Sequence, residues 1–164
     1  MIRPDPRTLR QALGRFPTGV TVVSTRTDDG AKLGFTANSF SSVSLDPPLL
    51  LVCPGRRLSS FDAFRACRHF AVSVLAEDQE DLSTHFATYQ GDRFATVPHD
   101  TDLHGVPVLT GAAARFSCRT AQVIPAGDHC VLIGEIIDME DGELPGLGFA
   151  QGRYFRAAPH LERT

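Results

Sequence analysis

The sequence predicts a mainly β protein, built as a β-barrel with helices outside it. Its 14 glycines and 11 prolines are spread along the chain, as expected when many short strands are joined by turns. Strand-length apolar runs outnumber helical segments, and the two do not alternate regularly. These observations favour a barrel over a doubly wound parallel sheet. A length of 164 residues suits a single domain over residues 1–164.

The first predicted elements are a helix and a hairpin. Asp5 and Pro6 precede the segment RTLRQALGRF and predict a short helix that Asp5 caps and in whose first turn Pro6 lies. Residues 20–26 predict a strand because they are rich in β-branched side chains. This strand ends at Asp28-Asp29-Gly30, a hairpin signal, so we expect its partner strand over about residues 32–39.

Chain breaks and a helix start organise the middle of the sequence. The run Leu45-Asp46-Pro47-Pro48 breaks the chain before a buried strand at residues 49–53. Ser59 begins a predicted helix that ends at about Cys67. Ser59 and Asp62 together have the S-x-x-D form of a capping box.

Four further strands and one helix are predicted in the rest of the chain. Residues 69–75 form a strand, and residues 77–88 form a helix whose first turn is acidic, where the helix dipole favours negative charge. Residues 114–124 and 129–139 alternate or run apolar and predict two long strands, and residues 153–156 predict the last one.

Composition and charge exclude several classes of protein. The chain is 42% hydrophobic and 21% charged, which is typical of a packed domain and not of a disordered one. A net charge of −3 gives no electrostatic footprint for nucleic acid. No apolar stretch approaches the roughly 18 residues of a membrane span. The N-terminal MIRPDPRTLR lacks the apolar core of a signal peptide, so we expect a cytoplasmic protein.

The four cysteines form no C-x-x-C pair. In a chain without an export signal they are expected to be reduced thiols. Three of them lie among apolar residues and are predicted to belong to the core: Cys53, Cys67 and Cys130.

Motifs for a metal centre or a Rossmann-type dinucleotide site are lacking. The sequence contains no G-x-G-x-x-G in a strand–turn–helix context, no Walker A sequence and no H-E-x-x-H. His99 and His104 lie in a segment with Asp100 and Asp102, where a solvated loop is favoured over a metal site. We therefore expect no metal.

The segment around residues 53–62 is the best candidate for an anion site. Its glycine permits close backbone approach, its arginines carry positive charge, and its hydroxyls lie at a predicted helix start. An ordinary loop followed by a surface helix explains the same residues. The candidate residues are Cys53, Gly55, Arg56, Arg57, Ser59 and Ser60.

Two other features could contact a ligand. The small polar run from Thr36 to Ser42 follows an apolar strand and could surround the polar edge of a flat heterocycle, or it could be a serine-rich turn. His129 lies directly before a strongly apolar strand, where it could hydrogen-bond a ligand or simply begin the strand.

The order of several sequence blocks resembles that of a known family, the short flavin reductases of two-component monooxygenases. The resemblance covers about residues 10–156. The blocks are FPTGVTVV (16–23), GFTANSF (34–40), SVSLDPPL (42–49), FAVSVL (70–75), DRF (92–94), GDH (127–129), IGE (133–135) and GRY (152–154).

The resemblance implies a fold and an activity. The fold would be the flavin-binding split barrel, a six-stranded Greek-key barrel, in a homodimer. The activity would be reduction of FMN or FAD by NADH or NADPH, with the reduced flavin passed to a monooxygenase partner. No catalytic side chain is implied, since hydride moves between two cofactors.

The resemblance also assigns roles to individual residues. The polar run would line the flavin ring with Thr36, Ala37, Asn38 and Ser39. The segment after the third strand would hold the ribityl chain and phosphate with Cys53, Pro54, Arg57, Ser59 and Ser60. Phe86 and Arg93 would lie close to the flavin, and His129 and Tyr154 would lie near the nicotinamide.

Two alternatives use the same fold. The chain could be a flavoprotein that keeps its flavin and carries electrons, or one that acts directly on an organic substrate. Retention of flavin on gel filtration, and the lack of NADH consumption with added free flavin, would distinguish these from a reductase. The sequence leaves open FMN against FAD and NADH against NADPH.

Overall fold

The computed structural model describes residues 4–157, and the elements below lie within that range. Three helices are present: α1 (Pro6–Leu13), α2 (Phe61–Ala66) and α3 (Glu80–Thr88). The strands are β1 (Thr18–Gly19), β2 (Thr21–Arg26), β3 (Lys32–Ala37), β4 (Ser41–Leu45), β5 (Pro48–Val52), β6 (His69–Val74), β7 (His99–Thr101), β8 (Pro107–Leu109), β9 (Ala114–Ala126), β10 (His129–Asp141), β11 (Leu147–Ala150) and β12 (Arg153–Arg156).

Seven strands form the principal sheet, in the order β3-β2-β6-β9-β10-β5-β4. Each neighbouring pair in this sheet is antiparallel. A second sheet has the order β1-β11-β12, and β7 pairs with β8 as a separate hairpin. No helix within residues 4–157 is long and apolar enough to cross a membrane.

The principal sheet is strongly curled around one core. β3 is its first strand and β5 is next to its last, yet side chains from both pack in the same apolar cluster with those of the central strands and α2. Curling brings the two ends of the sheet together, as barrel closure requires. The cluster comprises Val23, Phe35, Ala37, Leu50, Val52, Phe64, Phe70, Val72, Cys118 and Leu132.

A second apolar cluster lies under α3. The rings of Phe86 and Phe94 meet at 4.9 Å between centroids, and Leu75 and Leu147 bury their side chains beside them. This cluster joins α3 to the second sheet through Leu147 of β11.

The mainly β class with helices outside the sheet is confirmed, and so are the local signals at the N-terminus. The Asp5 side chain accepts a hydrogen bond from the Thr8 N–H at 2.9 Å, and Pro6 begins α1. Gly30 has φ +92° in the turn between β2 and β3, a conformation that glycine adopts without steric cost.

Two helices begin later than predicted. α2 begins at Phe61 after a turn, and its N-cap residue Ser60 makes no side-chain cap. The predicted capping box is therefore wrong: Ser59 precedes the cap, and Asp62 pairs with Arg65 at 3.3 Å instead. α3 begins at Glu80 because residues 76–79 form a turn, in which the Ala76 N–H donates to the Gln79 side chain.

Five strands were not predicted: β1, β4, β7, β8 and β11. β4 begins at Ser41 and so includes only the last two residues of the small polar run, for which a serine-rich turn was one of two interpretations. It makes the principal sheet seven strands where six were expected. Its residues have little β-propensity, but pairing with β5 supplies hydrogen bonds that propensity does not register. β7 and β8 likewise replace part of the predicted solvated loop around His99.

The cysteines divide differently from the prediction. Cys130 is buried as expected, and so is Cys118, whereas Cys53 and Cys67 are only partly buried. All four are free thiols. Burial raises the pKa of each, in Cys118 to about 12, so the unreactive thiol form is favoured.

Candidate functional site

The predicted flavin-ring segment and the predicted phosphate segment meet at the end of β3. The Cys53 N–H donates a hydrogen bond to Ser39 Oγ at 2.9 Å. This bond joins the residues that follow β3 to those that follow β5, although they are far apart in the sheet order. The two segments named from the sequence are therefore neighbours.

His129 lies against the same loop. The Cys130 N–H donates to the Pro54 carbonyl at 3.0 Å, and the Arg56 N–H donates to the Asp128 carbonyl at 2.8 Å. Between them, Gly55 and His129 form an isolated bridge. A Cβ on Gly55 would lie 3.1 Å from His129 Nε2, so the glycine allows the imidazole to approach the backbone.

The hairpin between β9 and β10 orients this histidine. Its turn has Gly127 at φ +60°, as a type II′ turn requires at its first central position. His129 Nδ1 donates to Asp128 Oδ1 at 2.7 Å, and the His129 side chain is 49% exposed. That hydrogen bond lowers the pKa of the Asp128 carboxyl, and the charges of His129 and Arg57 lower it further.

A cavity of about 240 Å³ contains two of the predicted phosphate ligands, Ser59 and Ser60. Ser59, Ser60, Arg93 and Lys32 line it together with backbone of Gly34 and the residues after α3. Ser60 Oγ is buried and has no hydrogen-bond partner among the described residues. Two cations and two hydroxyls, one of them buried and unpaired, fit a phosphate group.

Arg93 is held in this cavity by backbone carbonyls. Its Nη1 donates to the Gly34 carbonyl at 2.7 Å, and its Nε donates to the Tyr89 carbonyl at 2.9 Å. Because an arginine has five N–H donors in a planar fork, others remain for an anion.

Lys32 was not predicted as a site residue. Its Nζ donates to His99 Nε2 at 2.7 Å, and His99 Nδ1 in turn donates to the Val97 carbonyl at 2.7 Å. This relay fixes the ammonium at the cavity. One signal was present in the sequence, because Lys32 is the only lysine in the chain.

Thr36 and Tyr154 are connected through α3. Thr36 Oγ1 donates to the Ser83 carbonyl at 2.6 Å, and Ser83 Oγ lies 2.8 Å from the Tyr154 hydroxyl. Ser83 is buried and was not singled out from the sequence. A residue expected at the flavin ring and one expected near the nicotinamide thus share one hydrogen-bonded chain.

Phe86 is a core residue with no exposed surface. Its ring lies beneath Gly34, where an added Cβ would come within 2.9 Å of it. That Phe86 lies close to the flavin stays a prediction, and its side chain packs in the core without reaching the surface. The rings of Phe86 and Phe94 both pack against Gly34, which lines the cavity.

The remaining candidates are dispersed. Ala37 is buried, and Asn38 is exposed after the end of β3. Arg56 lies 6.0 Å above the Phe61 ring, and Arg57 is exposed close enough to Asp128 to influence its titration. Of the arginines and serines in the segment 53–62, Ser59 and Ser60 line the cavity and the two arginines do not.

Within residues 4–157, no group of three or more histidine, cysteine or acidic side chains is arranged to hold a metal ion. His99 and His104 have separate partners, Lys32 and the His69 ring.

A curled antiparallel sheet with a polar strand end, a cationic cavity and an adjacent histidine loop defines a class of protein that binds a flat, phosphate-bearing cofactor. Residues 13–158 match the family described as the flavin reductase like domain. The chain belongs to that family.

Similar proteins include reductases with stated partners or cofactors. The chain is 48% identical over 152 residues to the reductase component of the flavin-dependent trigonelline monooxygenase of Acinetobacter baylyi, covering 93% of this chain and 49% of that protein. It is 44% identical over 152 residues to an FMN reductase (NADH) of Agrobacterium fabrum, covering 93% and 86%.

A solved structure has the same fold. The NADH:FAD oxidoreductase of Streptomyces globisporus, in complex with NAD and FAD fragments, superposes with a TM-score of 0.91 at 39% identity and covers 99% of both chains. The chain spans 66%, 49% and 49% of the length of three curated relatives, the Acinetobacter protein among them.

Proposed function

We propose that the protein is an NAD(P)H-dependent flavin reductase that supplies reduced FMN or FAD to a monooxygenase. One observation carries the proposal. The polar strand end, the loop after β5 and the His129 turn are joined by hydrogen bonds, and Ser59 and Ser60 of that loop line a cavity that fits a phosphate. The names of the two curated relatives support both the activity and the partner.

In this proposal the residues of the chain bind and orient the flavin and the nicotinamide nucleotide. The backbone and side chains from Thr36 to Ser39 face the polar edge of the flavin ring, and Cys53 and Pro54 flank its ribityl chain. Lys32, Ser59, Ser60 and Arg93 hold the phosphate. His129 and Tyr154 contact the nicotinamide nucleotide, and Arg57 contributes positive charge at the His129 loop.

A bound flavin would accept hydride from the reduced nicotinamide. The protein needs no general base for this step, in keeping with a site that offers hydroxyls, amides and cations. N–H groups and the Asn38 amide near the ring edge would stabilise negative charge on the reduced ring.

The proposal is tested by consumption of NADH and NADPH with excess free flavin. We expect NADH loss that saturates with added FMN or FAD, and flavin that separates from the protein on gel filtration. Flavin that stays bound, together with no NADH consumption on adding free flavin, would instead indicate an electron carrier or an enzyme acting on an organic substrate.

Replacing His129 with alanine is expected to raise the KM for NADH several-fold or to lower turnover, while flavin affinity changes little. The side chain is half-exposed and hydrogen-bonded only to Asp128, so its loss leaves the loop's backbone bonds intact. Stopped-flow reduction of bound flavin across NADH concentrations measures the effect. An unchanged reduction rate with a lowered melting temperature would mean that His129 is structural.

We propose that the protein acts as a homodimer in the cytoplasm. β4 is an edge strand of the principal sheet, and several large apolar side chains are exposed, which together suit an interface between copies. These side chains include Leu13, Phe16, Leu45, Leu103 and Met139.

Light scattering at micromolar concentration is expected to give about twice the monomer mass of 17.8 kDa. Obligate dimers commonly bury more than about 2,000 Å² in total, which makes dissociation at that concentration unfavourable. A mass equal to the monomer would exclude the dimer.

A further inference from the structure

A second cavity, of about 440 Å³, lies at the other end of α2 from the phosphate cavity. Four basic or imidazole side chains line it: Arg26, Arg68, His69 and His104. Asp28 is the one carboxylate in its lining. The proposed reductase site uses none of these residues.

The two arginines of this cavity have no protein counter-charge. Within the described range of 4–157, neither guanidinium makes an ion pair or a side-chain hydrogen bond, whereas Arg65, Arg115 and Arg119 are each paired with a carboxylate. Arg26 is held close to the backbone, because a Cβ on Gly105 would lie 2.5 Å from its Nη1. Such exposed planar forks are suited to a phosphate.

The two histidines form a flat aromatic surface. The rings of His69 and His104 are stacked with centroids 3.8 Å apart and planes 5° from parallel. Burial lowers the pKa of His69, and the charges of His104, Arg119 and Arg68 lower it further against the opposing effect of Asp102. His104 is exposed, so its ring offers a planar surface on which a further aromatic ring can stack.

The location of the cavity relates it to the proposed phosphate site. Ser60 lines the first cavity and Ala63 lines the second, so they are separated by about one turn of α2, roughly 5 Å. Arg26 and Lys32 are cross-strand partners in the β2–β3 hairpin; Arg26 lines the second cavity, and Lys32 lines the phosphate cavity. The volume falls within the roughly 300–1,000 Å³ of sites for nucleotide-sized ligands.

We propose that this second cavity binds an adenosine phosphate, with the phosphate between Arg26 and Arg68 and the base against His104. The ligand has two possible sources. It is either the adenylate half of an FAD whose flavin occupies the first site, which rests on the proposed function, or a separate adenine nucleotide.

The test is titration calorimetry of the full chain, without flavin, with AMP. We expect saturable AMP binding and much weaker binding of adenosine and of ribose 5-phosphate. Arg68→Ala and Arg26→Gln are each expected to lower AMP affinity about 10- to 150-fold, because each removes a charge-assisted contact. Arg65→Ala is the matched control: Arg65 lies in α2, three residues before Arg68, is paired with Asp62 and does not line the cavity.

Lack of AMP binding at millimolar concentration would overturn the proposal. An equal loss in the Arg65 variant would also overturn it, because general surface charge would then explain the binding. Melting curves of the variants test whether each is folded. Because Arg26 and Arg68 lie in different parts of the fold, one local folding defect would not explain both losses.

Titrations in the presence of flavin identify the source. If saturating FAD blocks AMP and saturating FMN does not, the ligand is the adenylate half of FAD. If AMP binds with FAD in place, it is a separate nucleotide. If FMN blocks AMP as strongly as FAD does, AMP occupies the flavin site and the proposal is wrong. None of these measurements uses NADH, so failure of the reductase proposal is detected separately.

Discussion

Replacing Lys32 with alanine is expected to weaken FMN binding about 10- to 150-fold and riboflavin binding only slightly. Lys32 lines the phosphate cavity, and its ammonium is held there by the hydrogen bond to His99. A hydrogen bond to a charged group contributes roughly 1.5–3 kcal/mol, and only FMN carries the phosphate that would receive it. Titration of flavin fluorescence with each ligand measures the difference.

Arg57→Ala provides the comparison for this experiment. Arg57 belongs to the predicted phosphate segment but does not line the cavity, and it lies near Asp128 instead. We therefore expect a smaller loss of FMN affinity than for Lys32→Ala. The opposite order, or equal losses for FMN and riboflavin in the Lys32 variant, would locate the phosphate at the loop after β5 and not in this cavity.

Replacing Phe86 with alanine is expected to lower the free energy of unfolding by about 3–5 kcal/mol. The ring is fully buried, contacts Phe94 edge-on and supports Gly34 from below. Alanine would leave a cavity in the cluster that joins α3 to the sheet. Urea denaturation followed by circular dichroism gives the change in stability.

Phe86→Leu tests whether this side chain also affects the flavin directly. Leucine keeps most of the buried volume, so the folded variant is expected to bind flavin almost as the original chain does. A stable Phe86→Leu protein that has lost flavin affinity tenfold would show that the aromatic ring itself acts on the cofactor, despite its burial.

Local chemistry made most of the elements predictable. Asp5 and Pro6 define the start of α1, and the Asp28-Asp29-Gly30 turn defines the first hairpin, because caps and turns depend on neighbouring residues. The long strands β9 and β10 were recognised from apolar periodicity, although each extends two residues beyond the prediction. β4 was missed because its stability comes from pairing with β5 and not from its own side chains.

The candidate site was predictable as a set of segments but not as a geometry. The resemblance named the polar run after β3, the loop after β5 and the His129 turn, and the structure brings these together through Ser39 and Gly55. Neither the resemblance nor composition indicated that Lys32 and Arg93 face one cavity while Arg57 lies outside it.

The sequence by itself determined the mainly β class, the hairpin turns and the family, since each depends on residue order and short-range patterns. Only the tertiary structure decided that Phe86 is buried, that Ser83 links Thr36 to Tyr154, and which arginines lack a counter-charge. Burial and charge pairing depend on residues that are distant in sequence and brought together when the sheet curls. The type of a side chain therefore determines which interactions it can make, and the packing around it determines whether it is available to make them.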